Sequence, residues 1–228
     1  MPEAIVLLSG GLDSSTVLGM AKKKGFEVVA ITFDYGQRHR RELDSAKKVA
    51  QRMGVKEHLM IPLDIGRYLK SALTSKKMEL PVGRPRKKIG SGIPSTYVPS
   101  RNLVFLSIAT ALAESRGAEA VFIAANAVDF SGYPDCTPEF IRSFQRTVTV
   151  GTRSGREGRP VRIEAPLLSK KKADIVREAV RLGVPLELTW SCYKGGKKAC
   201  GRCDSCQLRL EGFAQAGHKD PLSYEVRA

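Results

Sequence analysis

The chain has 228 residues, 42% of them hydrophobic and 27% charged, which is enough for one domain, or one domain with a small appendage, around a sizeable core. No apolar run reaches transmembrane length and nothing near Met1 reads as a signal peptide, so the expectation is a soluble, cytoplasmic protein without a membrane partner. Lys and Arg number 38 against 23 acids, a net charge of +15, but they are scattered (22–24, 47–48, 170–172) without interleaved aromatics; a stable nucleic-acid partner is therefore not expected, and a positive field suits anionic small molecules equally well.

The first element is an apolar strand, Ala4 to Leu8, that stops at Ser9-Gly10-Gly11. Helical spacing then begins with Val17, Leu18 and Ala21 on one side. Two glycines let backbone approach a ligand closely, and Ser14 and Ser15 fall where a helix N-terminus leaves N–H groups unpaired, so the turn reads as an anion cradle. It lacks the Lys of the G-x-x-x-x-G-K-[ST] loop and is not G-x-G-x-x-G. The alternative is a tight turn with Asp13 and Ser14 merely capping the helix. The full string Ser9 to Ser15, SGGLDSS, resembles the SGG-x-DS signature of the PP-loop ATP pyrophosphatases. That resemblance implies an ATP site formed by Leu8, Ser9, Gly10, Gly11, Leu12, Asp13, Ser14 and Ser15, with Asp13 helping to place Mg2+.

Further along, Glu27 to Phe33 reads as a second strand, residues 40–53 as a helix closed by Gly54, and His58 to Ile61 as a short third strand. Alternation of this kind predicts a parallel α/β sheet with its ligand site beyond the carboxyl ends of the strands. Residues 76–99, with four prolines and many cations, form a long loop: either a solvated connection or a lid that orders around nucleotide. A largely apolar helix over 101–115 and a strand over 119–125 follow, then a helix over 138–150, a strand over 161–165 and a helix over 171–183. The expected fold class is α/β, a mainly parallel five-stranded sheet flanked by helices and Rossmann-like, with residues 1–188 as the ATP-binding domain and 189–228 as a C-terminal metal-binding helical segment.

That segment holds four of the five cysteines: Cys192, Cys200, Cys203 and Cys206. Four thiols with short connecting loops suit a closed tetrahedral ion, Zn2+ above all, with an iron–sulfur cluster as the alternative. Such a site serves folding, because it leaves no open position for substrate. Cys136 stands apart and reads as a small buried residue.

With both stretches in hand, the chain resembles the 7-cyano-7-deazaguanine synthase (QueC) family through "LLSGGLDSST", "TFDYGQRHRREL", "TYVPSRNLVFLSIA", "NAVDFSGYPDCTPEF" and "TWSCYKGGKKACGRCDSCQLRLEGF". Departures are small: Ala124-Ala125 precede Asn126, and Thr137 follows Cys136, where the family usually has Gly-Val and Arg. The resemblance implies an ATP-dependent carbon–nitrogen ligase that turns 7-carboxy-7-deazaguanine and ammonia into the nitrile for queuosine or archaeosine synthesis. It places Asp34 and Tyr35 beside adenosine and Arg101 against a phosphate or the substrate carboxylate, with Asp13, Ser14 and Arg101 as the catalytic set. Asn126, Asp129, Phe130, Tyr133 and Asp135 become candidates for the deazaguanine. A homodimer is the expected assembly. Other readings are a PP-loop enzyme that thiolates or ligates tRNA, a zinc-ribbon nucleic-acid adaptor, and a relative acting on another acid. Neither a tRNA-binding appendage nor reactive cysteines near the loop is visible for the first, and an intact SGGLDSS argues against the second.

Overall fold

In the computed structural model, which describes residues 1–89, 92–126 and 132–226, alternating strands and helices build a single parallel sheet. The elements are β1 (Glu3–Leu7), α1 (Leu12–Lys23), β2 (Glu27–Asp34), α2 (Arg41–Arg52), β3 (Glu57–Pro62), α3 (Arg101–Arg116) and β4 (Ala120–Phe122). They continue with α4 (Pro138–Gly151), α5 (Arg153–Arg156), β5 (Arg162–Glu164), α6 (Lys172–Arg181) and α7 (Asp204–Gln215). The strand order is β3-β2-β1-β4-β5, and every pairing among them is parallel. The five-stranded α/β expectation is met.

The central strands β1, β2 and β4 are apolar on both faces because both faces are covered. Ala4, Val6, Val28, Ala30, Ala120 and Phe122 point into one core with Val17 and Leu18 of α1 and Ile175 and Val176 of α6. The alternate residues Ile5, Val29, Ile31 and Val121 point into a second core with Leu106 and Ala109 of α3 and Phe144 of α4. Thr137, the departure noted above, accepts a hydrogen bond from Phe140 N at 3.1 Å and caps α4. A third cluster gathers Trp190, the four cysteines, Leu222 and Tyr224. Its internal strut is buried Arg209, whose Nε lies 2.7 Å from Asp220, which also receives the Tyr224 hydroxyl.

The chain runs outward from β1 to β2 and β3, then crosses back to β4 and β5. Strand order thus reverses between β1 and β4, where the connections leave a crevice. Among the described residues, the long loop before α3 contains one short helical turn, Arg86–Lys88. It is anchored rather than loose: Val82 bridges Cys203, Gly83 N donates to Arg202 O at 2.9 Å, and the Arg84 guanidinium forks onto Asp204.

Candidate active site

The SGG-x-DS turn sits at that crevice. Ser9 N donates to Ser14 Oγ at 3.1 Å, the Ser9 and Ser14 hydroxyls are 3.0 Å apart, and Gly11 N reaches Ser9 Oγ at 3.3 Å. Ser15 is fully buried, with its hydroxyl turned back to Gly11 O at 2.8 Å. The two glycines have different causes. Gly10 has φ +81°, and a Cβ there would lie 2.5 Å from Glu42 O and Ala46 N, so it lets the loop rest directly on α2. Gly11 is extended, and a Cβ would meet only ordinary contacts, the first being Ser9 Oγ at 3.4 Å. Protein packing therefore does not demand glycine at 11.

Asp13 joins three elements. Its Oδ2 accepts from Asn126 Nδ2 beyond β4 at 2.8 Å and from Lys172 Nζ at the start of α6 at 2.7 Å. Its Oδ1 is buried and receives no hydrogen bond among the described residues. A buried carboxylate oxygen without a donor is costly. It fits a cation that arrives with ligand. The sequence offered no way to single out Lys172 from Lys170 and Lys171; its role depends on where α6 begins against the sheet.

A cavity of about 290 Å³ opens beside the turn, lined by Leu8, Ser9, Gly11, Leu12, Asp13 and Ser14 on one side and by Tyr35, Glu42, Arg101 and Tyr133 on the other. Phe105 stacks on Phe33 with ring centroids 4.1 Å apart and meets Tyr35 at 5.5 Å, which gives an aromatic wall. Arg101 follows Ser100, whose left-handed backbone (φ 54°) opens α3, and its guanidinium lies 5.9 Å from the Tyr35 ring centroid. No carboxylate comes within ion-pair distance of Arg101 among the described residues, so its charge is available to an anion. Burial pushes the Tyr35 phenol pKa up, so it stays protonated.

Other predicted site residues lie differently. Asp34 pairs with Arg40 at 2.6 Å and is not among the cavity-lining residues. Asp135 is buried and accepts from Asn102 N at 2.8 Å, satisfying an N-terminal donor of α3. Burial raises its pKa against the pull of that N–H and of Arg101. Tyr133 meets the long loop through Thr96 Oγ1 at 2.9 Å. Asp129 and Phe130 lie outside the described residues. Glu42, in the quoted string "TFDYGQRHRREL" but given no role there, is brought into the cavity by the first turn of α2.

The four cysteines meet as their spacing predicts. Their Sγ atoms all lie within 4.8 Å of one another and all four residues are buried. The Cys203 and Cys206 thiols donate to Cys192 and hold its pKa well below the ordinary thiol range. A gathered, buried set of four cysteine sulfurs fits a tetrahedral metal ion. Cys136 is buried and 3.0 Å from Asn102 Nδ2.

Comparison with known proteins agrees with this arrangement. Residues 3–217 match the family model described as queuosine biosynthesis protein QueC. A 7-cyano-7-deazaguanine synthase of Trichormus variabilis is 53% identical over 97% of this chain and 98% of its own length. One of Thermoplasma acidophilum is 54% identical over 98% of this chain and 92% of its own. Among solved structures, NMN synthetase from Francisella tularensis (TM-score 0.52, 15% identity, 96% of this chain and 78% of that one) shares the fold. So does a predicted tRNA methyltransferase subunit from Methanocaldococcus jannaschii (TM-score 0.50, 19% identity, 79% of this chain and 75% of that one). With a family match over residues 3–217 and relatives more than half identical to it, this chain belongs to the QueC family of queuosine biosynthesis proteins.

Proposed function

We propose that the protein converts 7-carboxy-7-deazaguanine and ammonia into 7-cyano-7-deazaguanine at the expense of ATP. The observation that carries this reading is the convergence on one cavity of the SGG-x-DS turn, the donor-less oxygen of Asp13, and two cations, Lys172 and Arg101, from different helices. The names of the relatives support the choice of substrate.

The chemistry needs such a site. A carboxylate is a poor electrophile because its leaving group would be oxide; transfer of AMP to its oxygen supplies a good one. Ammonia then displaces AMP to give the amide, and the amide oxygen must be activated and expelled in turn to reach the nitrile. Ser9, Gly10, Gly11, Asp13 and Ser14, through N–H and hydroxyl groups, would hold the departing pyrophosphate, with Lys172 neutralising its charge. The absence of any packing need for glycine at 11 supports close approach of a ligand there. Asp13 is the residue that would hold Mg2+, which supplies charge neutralisation to the phosphates. Arg101 would orient the substrate carboxylate or the α-phosphate, and Tyr35 the nucleoside.

Cys192, Cys200, Cys203 and Cys206 would hold Zn2+ in a folding role, supported by burial, all-thiol donors and the separate apolar cluster around them. That cluster also supports taking 189–228 as a unit distinct from 1–188. Acting on small molecules, the enzyme would need no stable nucleic acid. No described helix is long and apolar enough to cross a membrane, which agrees with a cytoplasmic setting. A homodimer follows from the general prevalence of twofold assemblies. Mass spectrometry of products after incubation with ATP, magnesium, ammonium and the carboxy-deazaguanine tests the reading; absence of the nitrile would overturn it.

A further inference from the structure

Glu42 lacks what a carboxylate in a cavity wall needs. It lines the cavity with Tyr35, Phe105, Arg101 and Tyr133, yet no Lys, Arg or His comes within ion-pair distance and no hydrogen bond reaches its side chain among the described residues. Three positions earlier, His39 lines the same cavity, and its Nδ1 is buried without a hydrogen bond among the described residues. The Glu42 oxygens are open to the cavity, so a ligand bound there can supply the N–H donors that its carboxylate otherwise takes from water.

The other acids nearby are engaged. Asp13 holds Lys172 and Asn126, and Asp135 caps α3. Among the described residues, Glu42 is the one acidic side chain of the cavity wall with both oxygens open to a ligand.

We propose that Glu42 is the specificity-determining acceptor for the deazaguanine ring, its two oxygens receiving the ring N1–H and the exocyclic 2-amino group. The proposal rests on the substrate assigned in the preceding section. Two parallel N–H donors on a flat ring match a carboxylate's two oxygens, as a guanidinium does. Phe105, stacked on Phe33 in the cavity wall, suits a ring face. In such a ring the reacting carboxyl group sits on the five-membered side, away from the N1 edge. Glu42 therefore grips the substrate at a distance from the reacting carbon and selects which acid is activated. Burial carries its carboxyl up to about 7, Arg101 acting against that and Cys192 with it, and neutral N–H donors satisfy such a group without placing another charge in the site.

The test is acid-dependent exchange of pyrophosphate into ATP, run without ammonia on the full-length protein, using the natural acid and an analogue with hydrogen in place of the 2-amino group. Wild type should show a KM on the order of 10- to 100-fold higher for the analogue. Glu42→Gln should raise the KM for the natural acid by a similar factor, change kcat less, and no longer tell the two acids apart. Glu42→Asp, which keeps the paired acceptor, should retain more discrimination than the Gln variant, and it carries the test if Glu42→Gln does not fold. Undiminished discrimination in both variants would overturn the proposal. So would normal acid binding with a raised KM for ammonium, because Glu42 would then serve ammonia. A wild-type enzyme with no acid-dependent exchange would instead remove the substrate assignment itself.

Discussion

Lys172 Nζ stands 2.7 Å from Asp13 Oδ2, linking the phosphate turn to a helix that starts 159 residues later. The pair positions a cation beside the turn and leaves Asp13 Oδ1 without a donor among the described residues. Lys172→Met is expected to slow acid-dependent pyrophosphate exchange by about 100-fold, the scale of losing one charge-stabilising donor. Because the chain has one SGG-x-DS turn, both activations are expected to use it. Asp13→Asn should therefore slow conversion of the acid and of externally supplied amide alike, and the amide should still require ATP and release AMP. Nitrile formed from amide without ATP would refute a shared site.

The cysteine cluster makes a second prediction. Metal binding by four thiolates gathered only in the folded chain is folding free energy. Cys203→Ser should reduce bound zinc and lower Tm together, by about 10 °C for a loss of 3–5 kcal/mol in a chain of this size. Elemental analysis and calorimetry read the two effects. Full stability with full metal content would show that Cys203 is not a ligand.

Because Val82 pairs with Cys203 and Arg84 with Asp204, the long loop depends on the cysteine segment at one end. Limited proteolysis within residues 76–99 should accelerate on chelation of the metal and in Arg84→Met, by about 5- to 30-fold if local opening becomes 1–2 kcal/mol easier. ATP with magnesium should slow it. Equal cleavage in all states would count against both the anchor and a nucleotide-linked loop.

Glu42 also sets a pH dependence. Its carboxyl rises from the ordinary 4.5 to about 7, chiefly through burial. Between those values the folded chain keeps a proton that the unfolded chain has lost, so stability falls as pH rises through that window and stays lowered above it. The cost is at most about 3 kcal/mol. Glu42→Gln should therefore melt several degrees above wild type at pH 8 and show no gain at pH 4, in thermal scans at matched ionic strength. A Gln variant less stable at pH 8 would show that the ionised carboxylate contributes to the fold.

Much of this protein is legible without coordinates. Strands two residues in period and helices three to four in period report their own backbones, so apolar runs such as Ala4 to Leu8 and the alternation after them already specify a parallel α/β sheet. The turn SGGLDSS and the spacing of Cys192, Cys200, Cys203 and Cys206 carry their chemistry in a few consecutive residues, and each forms as a local unit.

Side chains drawn together from distant elements are another matter. Lys170, Lys171 and Lys172 are equivalent as letters, and only the docking of α6 against the sheet sends Lys172 to Asp13. Which acid turns to the cavity is likewise undecided by the string: Asp135 lies in the segment richest in polar groups but is occupied at the α3 terminus, whereas Glu42, inside a run of arginines, faces the wall. Even Gly10 owes its identity to the backbone of α2 more than thirty residues away, while Gly11 owes nothing to packing. Sequence determines elements and local motifs because their forces act between neighbours in the chain; the composition of the site follows from strand order and helix docking, which set neighbours in space.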